Sequence, residues 1–122
     1  MKAVCIALVA LAIPLVLCYD EKFDKVDVDK IIGDDNLFTG YINCMLDKGP
    51  CDLEHSEEFK KILPEVIATS CAKCTPIQRN HVRKTVKAIG EKRPDEFKIF
   101  KSKYDPNGQH EAAFTSFLIG TD

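Results

Sequence analysis

Cysteine is the residue type whose spacing most constrains the chemistry open to this sequence. The stretch SCAKC at 70–74 holds Cys71 and Cys74, and a second pair, Cys44 and Cys51, lies upstream across six intervening residues. A Cys-x-x-Cys pair can be a redox centre, half of a zinc site or a structural clamp. Redox work of the thioredoxin kind needs a βαβ scaffold, and no such pattern surrounds these residues. A four-cysteine zinc site commonly has a short knuckle on each side, which the wider Cys44/Cys51 spacing does not supply. In an oxidising compartment the four are expected to form two disulfides, and no metal or other cofactor is expected. Four cysteines allow three pairings, and spacing does not choose among them. Pairing of neighbours would close two very small loops, which fix corners between helices and cannot substitute for a core.

The other groups that do chemistry are scattered. His55, His81 and His110 are isolated beside surface-type residues and are expected to be solvated. Asp20, Glu21, Asp24, Asp27 and Asp29 form an acidic run, but it lacks the glycine and terminal glutamate spacing of an EF-hand, so a solvated charge run is expected. No G-x-S-x-G, H-E-x-x-H or phosphate-binding loop occurs. An enzyme is not expected.

The elements that must hold these residues follow an apolar leader. In a chain of 122 residues, Lys2 precedes AVCIALVALAIPLVLC, a run with a single positive charge and smaller residues toward Cys18. Residues 1–18 read as a secretory signal peptide, cleaved before Tyr19, with residues 19–122 as one mature domain. Loss of Lys2 takes the formal charge from −2 to −3. A mildly acidic domain has no electrostatic case for nucleic acid or an anionic membrane surface. The mature chain is expected to be secreted, extracellular, monomeric and not inserted in a membrane. There is no N-x-S/T sequon.

The mature segment shows helical periodicity and almost no strand signal. Asp27 is expected to cap a short helix that turns Val28, Ile31 and Ile32 inward. Asp34 or Asp35 caps a second, with Leu37, Phe38, Tyr41, Ile42 and Met45 on one face; Gly40 inside it should cost about 1 kcal/mol relative to Ala, and Gly49-Pro50 stops it. A third is expected after Cys51 with Asp52 as cap, and Pro64 should kink or divide it. Thr75-Pro76-Ile77-Gln78 is a capping box with proline in the first turn. The fourth helix then carries Val82, Val86 and Ile89 to a stop at Gly90. Pro94 opens a fifth, with Phe97, Phe100 and Tyr104 inward. Asp105-Pro106-Asn107-Gly108 is a turn, and a sixth helix holds Ala113, Phe114, Phe117 and Leu118 up to Gly120. The expected fold is all-α: a compact array of six short amphipathic helices with two local disulfides.

Cys-x6-Cys followed about nineteen residues later by Cys-x2-Cys, together with YINCMLDKGPC at 41–51, FKKILPEVIATSCAKCTPIQ at 59–78 and KYDPNG at 103–108, resembles the insect chemosensory proteins, also called olfactory-segment-D-like. The likeness covers nearly all of the mature chain. It implies a six-helix fold, disulfides between neighbours, and an internal apolar channel for small lipophilic molecules. Tyr41 matches the family's tyrosine just before the first cysteine, and Phe97 stands where the family usually carries Trp. The C-terminal stretch QHEAAFTSFLIG is less charged than the family's usual tail. The resemblance implies a secreted carrier of small hydrophobic ligands such as long-chain lipids, odorants or pheromones. Tyr41 and Tyr104 are then the candidates for a polar end contact, Phe97 for a gate or floor, and Met45, Ile62, Val66, Val82 and Val86 for the lining. The same apolar stripes would serve an extracellular interaction or developmental protein as plain core, with any cavity incidental.

Overall fold

The computed structural model describes residues 18–120; the expected leader lies outside the described residues except for Cys18. Six α-helices follow one another: α1 (Val28–Gly33), α2 (Asp35–Met45), α3 (Ser56–Thr69), α4 (Pro76–Lys92), α5 (Pro94–Tyr104) and α6 (Glu111–Ile119). A single 3-10 turn over Glu21–Lys25 precedes them, and no strand occurs among the described residues. Cys44 is bonded to Cys51 and Cys71 to Cys74, the neighbour pairing.

Side-chain caps set the starts of three of the six α-helices. The Asp27 carboxylate accepts from the Lys30 amide, and Asp34 accepts from both Asn36 and Leu37. Thr75 Oγ1 accepts from the Gln78 amide while Gln78 Oε1 accepts from the Thr75 amide, the reciprocal box read from the sequence. Its two residues also bind the N-terminal segment. Thr75 Oγ1 donates to Asp24 Oδ1 at 2.8 Å, and Gln78 Nε2 donates to the Asp20 carbonyl at 2.9 Å. Part of the expected solvated acidic run is thus built into the fold, with Asp20 capping the 3-10 turn and Phe23 buried beneath it.

Three boundaries differ from the sequence reading. α2 ends at Met45, short of Gly49-Pro50. α3 starts at Ser56 and not just after Cys51, because His55 takes a left-handed conformation, φ 62°, and Ser56 Oγ donates back to the Leu53 carbonyl. Pro64 does not divide α3, which is continuous to Thr69. α4 passes through Gly90 to Lys92; Arg93, constrained by the following Pro94, leaves the helix. Gly40 is explained by close approach: a Cβ there would lie 2.7 Å from Leu53 Cδ1, so the loop after α2 could not sit as it does without Leu53 turning aside.

Two buried clusters form the interior. Phe38, Ile42, Leu46, Ala88 and Ile89 join α2 to α4, with Ile31, Ile32, Phe97 and Phe100 against them. Val66, Cys71, Cys74 and Phe117 join α3, the second disulfide and α6, with Tyr19, Ile62, Val82, Phe114 and Leu118 around them. Arg83 fixes α6 on α4: its Nε donates to the Phe117 carbonyl at 2.8 Å, and its guanidinium carbon lies 4.4 Å from the Phe117 ring centre.

Candidate functional site

Between these clusters the helices do not close completely. A pocket of about 290 Å³ lies among side chains from the 3-10 turn and all six helices, near the lower end of the roughly 300–1,000 Å³ common for small-molecule sites. Its walls are overwhelmingly apolar. Tyr41, Met45, Ile62, Val66, Val82, Val86, Phe97 and Tyr104, the candidate contacts drawn from the sequence, all line it. The periodicity of α3 and α4 brings four of them there. Ile62 and Val66 are one turn apart on α3, Val82 and Val86 one turn apart on α4, and both stripes line the pocket.

The two tyrosines are held by the backbone. The Tyr41 hydroxyl donates to the Glu54 carbonyl at 2.7 Å, and the Tyr104 hydroxyl donates to the Met45 carbonyl at 2.5 Å. Burial, reinforced for Tyr41 by the nearby Glu54 carboxylate, raises both phenols above their ordinary range, so both are protonated at neutral pH. Each hydroxyl retains acceptor capacity but has its proton committed. The Tyr104 bond also seats the end of α5 on the end of α2. Asp47 strengthens this corner by pairing with Lys60 of α3 and Lys103 of α5. Those bonds hold the Asp47 carboxyl at about 2, from an ordinary 3.8.

Several wall residues escaped the sequence reading. Phe23 and Val26 come from the N-terminal segment, where a 3-10 turn carries no helical period to read. Gln78, His81 and Thr85 come from α4. Their signal was present: 78, 81, 82, 85, 86 and 89 form one continuous helical face, and its polar members were set aside. His81 is a correction to the expectation of solvated histidines. It is half-buried on the pocket wall, and burial, with some help from Lys84, lowers its pKa below 6.5 against the pull of Asp24, Asp29 and the Phe23 backbone. His55 too is half-buried, its ring 5.4 Å from that of Phe23 and 6.0 Å from that of Phe59. At the opposite side Lys101, Asp105 and Glu111 border the pocket where α5 meets α6, and Lys101 lies 3.7 Å from Glu111. Among the described residues no group of His, Cys, Asp and Glu is arranged to hold a metal, and no helix is long and apolar enough to cross a membrane.

The arrangement can take up an apolar solute. Comparison with known proteins agrees with the fold and gives it relatives. Residues 19–112 match the family model described as the insect pheromone-binding family, A10/OS-D. Ejaculatory bulb-specific protein 3 of Drosophila melanogaster is 41% identical over 105 residues, covering 84% of this chain and 82% of its own. Allergen Tha p 1 of Thaumetopoea pityocampa is 32% identical over 100 residues, covering 82% and 79%. Among solved structures, a chemosensory protein in complex with bromo-dodecanol superposes with a TM-score of 0.71 at 26% identity, over 80% of this chain and 97% of that one.

Proposed function

We propose, from the premise that the chain belongs to the insect pheromone-binding family A10/OS-D, that it is a secreted carrier which solubilises long-chain hydrophobic molecules in its apolar pocket. The observation that carries this reading is the pocket itself, with the eight anticipated contacts on its walls. A structural relative was solved with a twelve-carbon alcohol derivative, which supports the ligand class. The physics is partition. Each methylene that leaves water for such a wall contributes about 0.8 kcal/mol before ordering costs. A chain of ten or more carbons therefore reaches roughly micromolar affinity with little polar recognition. The protein acts as a monomer in the extracellular space, and the pocket serves as the internal apolar channel for its ligand.

Competition against a fluorescent apolar probe tests the reading. Long-chain alcohols, acids and esters should displace the probe saturably, and short-chain members of each series should do so poorly. Failure of all of them to compete, together with ligand-independent association with another protein, would instead support the interaction-protein reading.

A further inference from the structure

We propose that His81 and Thr85 of α4 form a head-group subsite inside the pocket that selects a neutral, hydroxyl-bearing amphiphile, an aliphatic alcohol, over a carboxylate or an ether of the same length. The inference rests on the carrier reading and adds to it the chemistry of the end that the pocket recognises. The two residues stand one helical turn apart, so both side chains occupy the same face of α4, and both line the pocket. Val82 and Val86 stand beside them on the helix, and Phe23 and Val28 line the same pocket. Apart from Thr115 of α6, the pocket's other polar wall groups are already engaged. Gln78 spends its amide on Thr75 and Asp20, Tyr41 donates to Glu54, and Tyr104 donates to Met45.

A hydroxyl both donates and accepts one hydrogen bond, and this pair offers the complement. Thr85 Oγ1 can do either. His81, neutral at physiological pH and drawn at one ring nitrogen toward the Phe23 backbone, keeps an acceptor at the other nitrogen. An alcohol can therefore accept from Thr85 while donating to His81. An ether can only accept, and leaves the His81 acceptor facing hydrocarbon. A carboxylate likewise has no proton to give His81, and its charge would lose water on entering the apolar walls.

The test is competition by 1-dodecanol, dodecyl methyl ether and dodecanoic acid at pH 7.5, on the wild-type protein and on Thr85→Val and His81→Leu, with helix content checked by circular dichroism. Thr85→Val keeps the side-chain shape, so the fold should survive even if His81→Leu does not. The wild type should prefer the alcohol to the ether by about three- to tenfold, the effect of one net hydrogen bond. Thr85→Val removes the donor that alcohol and ether both accept from, so it should weaken both by a similar factor, whereas His81→Leu removes the acceptor that only the alcohol uses and should bring the alcohol down to the ether. Affinities for both alcohol and ether unchanged in Thr85→Val, or an alcohol-to-ether ratio unchanged in a folded His81→Leu, overturns the subsite and leaves the carrier reading standing. Absence of competition by any of the three in the wild type overturns both.

Discussion

At the scale of single residues, the fold assigns side chains by the partners they meet, and sequence neighbours foretell those partners unevenly. Tyr41 was legible as an inward residue of α2, and the family resemblance made it a ligand candidate, but its bond to the Glu54 carbonyl spans a loop that no local pattern specifies. His81 was illegible for the opposite reason: its immediate neighbours are surface-type, and the Phe23 backbone it bonds to is far away in sequence. Asp47 gives a measurable case. Lys103 and Lys60 hold its folded pKa at about 2, beneath the ordinary 3.8. A carboxyl with a depressed folded pKa stabilises the native state fully above its unfolded value, and that contribution disappears as the pH falls through the folded one. Thermal unfolding of the wild type and of Asp47→Asn should therefore differ most above about pH 5, with the wild type more stable, and the two midpoints should converge toward pH 2. The residue is exposed, so the difference should also shrink in high salt.

At the scale of elements, starts were easier to read than stops. The start of α4 was plain because Thr75, Pro76 and Gln78 fix it within four residues. The start of α3 was not, because the Cys44–Cys51 bond, the packing of Leu53 on Gly40 and the left-handed His55 together delay it, and two of those causes act across the chain. Gly90 misled as a stop since a glycine in open space does not end a helix that can still bond onward, whereas Pro94 does end it. The box at Thr75 should be costly to remove, because that hydroxyl is buried and serves both α4 and Asp24 of the N-terminal segment. Thr75→Ala should lower the unfolding free energy by about 1–2 kcal/mol, measured by chemical denaturation. A loss much smaller than that would mean the N-terminal segment contributes little to the fold.

Over the whole molecule, the all-α class and the six helices were legible because each helix advertises one apolar stripe, and stripes must be covered. The pocket was not legible on those grounds: a stripe that faces another stripe looks the same whether the gap is filled or empty. Its existence depends on how far apart α3, α4 and α5 are held, and corners such as the Asp47 junction and the two disulfides set that distance. Two experiments act at this scale. Val86→Trp places bulk into the gap and should reduce probe binding at least tenfold while leaving helical circular dichroism intact; unchanged binding would move the ligand elsewhere. A long-chain alcohol at about a hundred times its dissociation constant should add about 2.7 kcal/mol of stability through linkage alone, read as a rise in melting temperature that scales with concentration. The walls of the pocket are also the protein's own core, since Val66, Ile42, Met45 and Ile89 serve in both. Container and scaffold are therefore one set of atoms. Any substitution that retunes what is carried also alters what keeps the empty protein folded, so a lineage acquiring a new cargo must repair its own thermostability at the same step, and the cargo, once aboard, serves as the missing piece of the interior.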